Sequence, residues 1–98
     1  IRILGPDANR SGQGFEVEDG AIRVGFTSIK GLAAKTVGKV LEERTEGGKF
    51  GSVENFLERV SLSKSELLAL IRAGVFDSLE PRRTRQVLRY FQGLEDME

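Results

Sequence analysis

The stretch AIRVGFTSIKGLAAKTVGKVLEER, Ala21 to Arg44, decides the fold. Its first residues alternate apolar and polar, which predicts a strand ending at Gly25. A short turn of helix follows, then a tight glycine turn at Lys30-Gly31. A longer amphipathic helix comes next, with Ala33, Val37, Val40, Leu41 and Arg44 on one side. Two helical pieces joined by a glycine hairpin with lysines around it make a helix-hairpin-helix candidate. Glycine lets the chain turn tightly and lets a phosphate approach backbone N–H groups. The N-terminus of the second helix adds unpaired donors and partial positive charge. Lys30, Lys35 and Lys39 would supply the ionic attraction.

Upstream, Phe15-Glu16-Val17-Glu18 alternates too, and Asp19-Gly20 joins the two alternating runs. That pairing predicts a two-stranded antiparallel ribbon, which must lean on something else to be stable. Residues 1–14 read as a loop-like lead with a turn at Gly5-Pro6-Asp7. Downstream, the first long helix is expected to stop near Gly47-Gly48. Ser52 is the expected N-cap of a helix that buries Val53, Phe56, Leu57 and Val60. Ser63 and Glu66 form a capping box, so a further helix starts there, carries Leu67, Leu68, Leu70 and Ile71, and stops at Gly74. Val75 to Leu79 is a short apolar link. Pro81 opens a final helix to about Gln92, with Thr84, Val87, Leu88 and Phe91 inside and Arg82, Arg85 and Arg89 outside.

The second half thus repeats the first, with Gly31-Leu32 and Gly74-Val75 in equivalent places. The expected fold is mainly α: a tandem helix-hairpin-helix domain of four to five short helices with pseudo-two-fold symmetry, preceded by a small antiparallel β-hairpin.

Lysine plus arginine and aspartate plus glutamate each number 15, so the net charge is zero. The distribution matters more than the sum. Arg82, Arg83, Arg85 and Arg89 lie in a stretch free of acids from Pro81 to Leu94, while acids gather at residues 16–19 and 95–98. Cysteine and histidine are both absent, which excludes disulfides, thiolate or imidazole metal sites and histidine general bases. No carboxylate set suits two-metal chemistry, and no base stands near Ser28, Ser52 or Ser63. No catalytic and no metal-binding residue is therefore assigned. Absence of cysteine is compatible with the cytosol, and no membrane span or signal peptide is visible. A first residue of isoleucine suggests a fragment.

The candidate DNA-binding set is Lys30, Gly31, Leu32, Ala33 and Lys35 in the first hairpin. Gly74 and Val75 in the second hairpin, and Arg82, Arg83, Arg85 and Arg89 beyond it, complete the set. Each has a plainer alternative: Gly31 a structural turn, Gly74 a helix stop among apolar neighbours, and the arginines a solvated helix face.

The blocks LGPDANRS (Leu4 to Ser11), FEVEDGAIRVGFTSIKGL (Phe15 to Leu32), EGGKFGSVENFLERV (Glu46 to Val60) and LIRAGVFDSL (Leu70 to Leu79) carry a resemblance. In this order, the chain resembles one region of the α subunits of bacterial DNA polymerase III, the C-family replicative polymerases. The resemblance implies that residues 1–26 are the end of the fingers, 27–93 the tandem helix-hairpin-helix DNA-binding domain, and 94–98 an acidic tail. It implies a DNA-directed DNA polymerase, a nucleotidyltransferase using magnesium, whose catalytic carboxylates lie in a palm domain outside this chain. No cofactor is implied for the fragment itself. Implied partners are double-stranded primer–template DNA, the remaining polymerase domains and, through the parent chain, replisome subunits including the sliding clamp. The implied location is cytoplasmic. The alternative is a structural or interaction module packed between polymerase domains without touching DNA. One departure stands out: the family's first hairpin usually reads glycine, apolar, glycine, and here Ala33 takes the last place. A backbone needing positive φ there would be strained.

Overall fold

Asp19 and Gly20 both turn with positive φ, 49° and 78°, the mirror-image geometry that matches the twist of flanking strands. The computed structural model describes residues 2–82 and Arg85. The turn joins β2 (Glu16–Glu18) to β3 (Ala21–Arg23) in an antiparallel pair, with Val17 opposite Ile22. This is the expected ribbon, with a correction. A third strand, β1 (Ile3–Leu4), pairs parallel to β3 with Ile3 opposite Ile22. The sheet is therefore three-stranded and mixed, in the order β1-β3-β2.

The lead before β2 does far more than a loop. Asp7 starts an Asx turn: its Oδ1 accepts from Asn9 N–H at 2.9 Å, and its carbonyl from Ser11 N–H at 3.0 Å. The buried Ser11 hydroxyl donates to the Val24 carbonyl at 2.7 Å and accepts from Asp7 N–H at 2.8 Å. Asn9 clips the backbone of Phe50 from both sides, Nδ2 to its carbonyl at 2.9 Å and Oδ1 from its N–H at 2.7 Å. Ala8 is fully buried, donates its N–H to Val75 and accepts from Arg44 through its carbonyl. One turn thus ties the sheet to two distant parts of the helical half.

After a single 3₁₀ turn at Phe26–Ser28 come α1 (Ala34–Gly47), α2 (Val53–Arg59) and α3 (Lys64–Ala73). Three α-helices among the described residues, rather than four or five, make up the mainly helical body. Their limits follow the sequence signals. Ser52 Oγ accepts from Asn55 N–H at 3.0 Å and caps α2. Ser63 and Glu66 close the capping box of α3. Gly74, left-handed at φ 85°, ends α3 with Val75 N–H bonded to the Leu70 carbonyl and Gly74 N–H to that of Ile71, a Schellman ending. The expected apolar faces are largely present: Val37 and Val40, then Val53, Phe56 and Val60, then Leu67, Leu70 and Ile71 are buried. Ala33 is the exception. It is exposed and caps α1 instead of riding its inner face, and Thr36 is buried in its stead.

The core is continuous from Ala8 and Phe26 to Val75 and Phe76. At its centre Phe56 meets Phe50 at 4.6 Å and Phe76 edge-on at 5.0 Å between ring centroids. Arg59 covers this stack, its guanidinium 4.2 Å from the Phe50 ring centre. The same guanidinium donates to the carbonyls of Glu43 and Gly48, so it satisfies the C-terminal end of α1 from α2. No helix among the described residues is long and apolar enough to cross a membrane. The final helix expected beyond Pro81, together with Arg83, Arg89 and residues 94–98, lies outside the described residues, apart from Arg85.

Candidate nucleic-acid interface

The first hairpin is built by Gly31. Its φ of 87° is one that only glycine adopts freely. A Cβ there would meet nothing closer than the Ala69 side chain at 3.7 Å. Backbone conformation, not space, fixes this residue. Lys30 on one side and Lys35 on the other are exposed, and neither has a hydrogen-bond or ion-pair partner among the described residues. Lys39 differs, because it pairs with Glu43 at 3.3 Å along the charge-mixed face of α1. Leu32 is partly buried against the core. Thr27 and Ser28 are exposed, and the Thr27 hydroxyl is committed to the Gln13 carbonyl at 2.7 Å.

Ala33 takes φ −70° and ψ 146°, ordinary extended backbone. Alanine is unstrained here, and the departure from the glycine pattern costs the turn nothing. Its N–H, however, is already used. It donates to Glu66 Oε2 at 3.3 Å, and the Thr36 hydroxyl donates to the same oxygen. Burial raises the Glu66 pKa, but hydrogen bonds from Thr36, Ser63 and Ala33 outweigh it and hold the carboxyl below its usual value.

The second hairpin is a different surface. Val75 is fully buried, its N–H bonded to Leu70 and its carbonyl to Ala8, so neither its side chain nor its backbone is offered to solvent. Gly74 is partly buried and left-handed like Gly31. Both hairpin glycines thus have positive φ, 87° at Gly31 and 85° at Gly74. Arg82 and Arg85 are exposed, and both engage Glu80: its Oε1 accepts from Arg82 N–H at 3.3 Å, and its Oε2 lies 3.9 Å from Arg85 Nε. The arginine run therefore has an acid just before it.

A groove of about 650 Å³ joins the two halves, lined by Ser28, Lys30 and Gly31 on one side and Ser65, Arg72 and Ala73 on the other. Arg72 was not among the sequence candidates. A signal was present, since a cation precedes the hairpin glycine closely in both halves, at Lys30-Gly31 and at Arg72-Ala73-Gly74.

On the sheet, Glu18 bonds Arg23 through both carboxylate oxygens, at 2.7 and 3.0 Å, and Arg10 at 2.9 Å. Arg23 foremost, opposed by partial burial and aided by Arg10, brings Glu18 down to about 2. A carboxylate with a depressed folded pKa stabilises above its unfolded value and loses that contribution as pH falls through the folded one. Stability should therefore decline between about pH 4.5 and 2, and decline less in Glu18→Gln. Denaturant unfolding at stepped pH checks this, and identical pH profiles for the two proteins would refute it.

Residues 1–86 match the helix-hairpin-helix motif family. DNA polymerase III subunit alpha of Borreliella burgdorferi is 40% identical over 86 residues, 85% of this chain and 8% of that protein. The subunit from Pseudomonas aeruginosa is 40% identical over 94 residues, 92% of this chain and 8% of its own length. That of Chlamydia trachomatis is 36% identical over 86 residues, 85% of this chain and 7% of its own. The chain thus spans less than a tenth of the length of these relatives. With the motif matched over most of its residues, on a structure with two left-handed hairpin glycines, the chain belongs to the helix-hairpin-helix family.

Proposed function

We propose that this chain is the duplex-holding segment of a DNA-directed DNA polymerase, gripping primer–template DNA through its phosphates without reading bases. The observation that carries the reading is the first hairpin: Gly31 in a left-handed turn between exposed Lys30 and Lys35, in a chain of the helix-hairpin-helix family. A turn of this kind presents concave backbone to phosphate oxygens, and free lysines supply charge without base specificity. Gly31 and Lys30 make the first contact. Arg72, on the opposite wall of the groove, and Gly74 extend it, with Arg82 and Arg85 as an outer cationic margin. Similarity to polymerase α subunits supports a parent nucleotidyltransferase; magnesium in that parent's palm domain, the sliding clamp and other replisome subunits are further parts of the proposal. A cytoplasmic location belongs to the same reading.

Fluorescence anisotropy on a recessed-primer duplex tests it. Affinity should be weak and fall with salt by a log–log slope of about −0.9 per phosphate contact. Replacing Lys30 and Lys35 with alanine together should flatten that slope by about two contacts and weaken binding alike on unrelated sequences. A chain whose binding is absent at low salt, or unchanged by both substitutions, contradicts the proposal.

The second reading, an interaction module packed between polymerase domains, is favoured by one specific observation. Phe15, just before β2, and Val17 on β2 are 64% and 83% exposed, and Ile3 is 62% exposed on β1. Val17, Ile22 and Ile3 stand side by side across the three strands, an apolar row on one sheet face. Both readings can hold at once, since this row lies on the sheet and the lysines on the hairpin.

A further inference from the structure

We propose that Glu66 is the positioning residue of the first hairpin, a single carboxylate that sets the start of α1 against the start of α3. The inference rests on the phosphate-gripping reading above and adds a residue to it. Oε1 accepts from Ser63 N–H at 3.2 Å, which completes the cap of α3. Oε2 accepts from Ala33 N–H at 3.3 Å and from the buried Thr36 hydroxyl, which serves α1. Ala33 has no side chain able to cap its own helix, so the cap comes from 33 residues away. The donors sit two and five residues after Gly31, and the acceptor sits three residues before Ala69, which faces Gly31. The same contact therefore holds Gly31 and Lys30 at a fixed distance from the Arg72 wall of the groove.

Both oxygens are needed as acceptors. Glutamine keeps the shape and offers one acceptor, so its amide nitrogen meets a donor in one of the two halves. Aspartate is a methylene short of reaching both. Electrostatics alone makes the opposite forecast for Glu66→Gln, since removing a negative charge near Lys35 and Lys39 should tighten DNA binding.

The test compares the wild type, E66Q, T36V and S63A by thermal melting, amide hydrogen exchange and duplex binding at low salt. S63A deletes the side-chain cap of α3 but keeps the backbone N–H that Glu66 binds, so it controls for lost stability. Expected for E66Q is duplex binding weaker by about tenfold despite the lost negative charge. Faster exchange at Ala33 should accompany it, with T36V shifted the same way and S63A unchanged in affinity. E66Q binding as tightly as wild type or tighter, or S63A weakened equally, overturns the positioning role. If E66Q does not fold, T36V decides: unchanged exchange at Ala33 and unchanged affinity overturn the proposal. If the wild type itself does not bind duplex, the phosphate-gripping reading fails, and the exchange at Ala33 still decides whether Glu66 holds the hairpin.

Discussion

Replacing Phe56 with alanine is expected to cost about 3–5 kcal/mol of folding stability, the range for deleting a fully buried aromatic ring. Phe56 has no exposed surface, and its ring contacts Phe50 from the α1–α2 connection and Phe76 from the second hairpin. No small movement of one element closes the void, because the two partners belong to different elements. A domain of this size commonly has about 5–15 kcal/mol in total, so the loss is roughly a fifth of it or more. At about 4–8 °C per kcal/mol the melting temperature should fall by about 12 °C or more. Leu57, beside it on α2 and partly exposed, should lose clearly less on the same change. Urea unfolding of both variants checks the order. A Phe56→Ala loss below about 1 kcal/mol would mean that the three rings do not organise the core.

Why Phe56 was legible in the sequence and other parts were not has a physical basis. Local signals are written in neighbouring residues, and the helix limits here are local. Ser52, the Ser63–Glu66 box, Gly47-Gly48 and Gly74 each act within a few residues, and each stands at the end it predicts. Asp19-Gly20 is local too, and the β2–β3 ribbon forms as read. Strand β1 has two residues, too few to show alternation, and its partner is nearly twenty residues away. The Asp7–Ser11 turn looks like a polar loop because its work is done by side-chain and backbone hydrogen bonds across long distances. Asn9 reaches Phe50 and Ala8 reaches Val75, and neither pairing leaves a periodic trace. The polar content that reads as solvated is what satisfies buried backbone groups.

The candidate site divides in the same way. Gly31 was legible because a tight turn between two apolar helices needs a glycine. The fate of the Ala33 N–H was not, since its acceptor Glu66 was already fully explained as the N3 residue of a capping box. A residue with a sufficient local role gives no sign of a second, distant one. Val75 is similar: its apolar character told of burial, while its place after Gly74 told of a hairpin. Burial prevails because both of its backbone groups are bonded. Arg72 went unnoticed because a lone cation in the last turn of a helix is explained by the helix dipole alone.

Gly25→Ala should be the most damaging change that adds a single methyl group, costing about 3 kcal/mol or more. Gly25 has φ −88° and ψ 167°, an extended conformation that any residue adopts. Its constraint is space. A Cβ there would overlap the Gly14 carbonyl and come within 2.6 Å of the Gly14 Cα. Backbone cannot swing aside as the tip of a long side chain does, and the two segments are bonded to each other right beside the contact. Phe26 N–H donates to Gly12 at 3.0 Å and Thr27 N–H to Gln13 at 3.1 Å. The methyl must therefore part these segments, breaking bonds that anchor the turn before Gly31 and easing buried Phe26 out of the core. Gly31→Ala has the opposite character: space is available and the backbone state is not, so about 1 kcal/mol is expected with the fold intact. Denaturant unfolding should rank Gly25→Ala well above Gly31→Ala, and duplex binding at a temperature where both remain folded should fall in each. Equal stabilities for the two would show that residues 12–14 give way freely, and would remove the lead's part in holding the first hairpin.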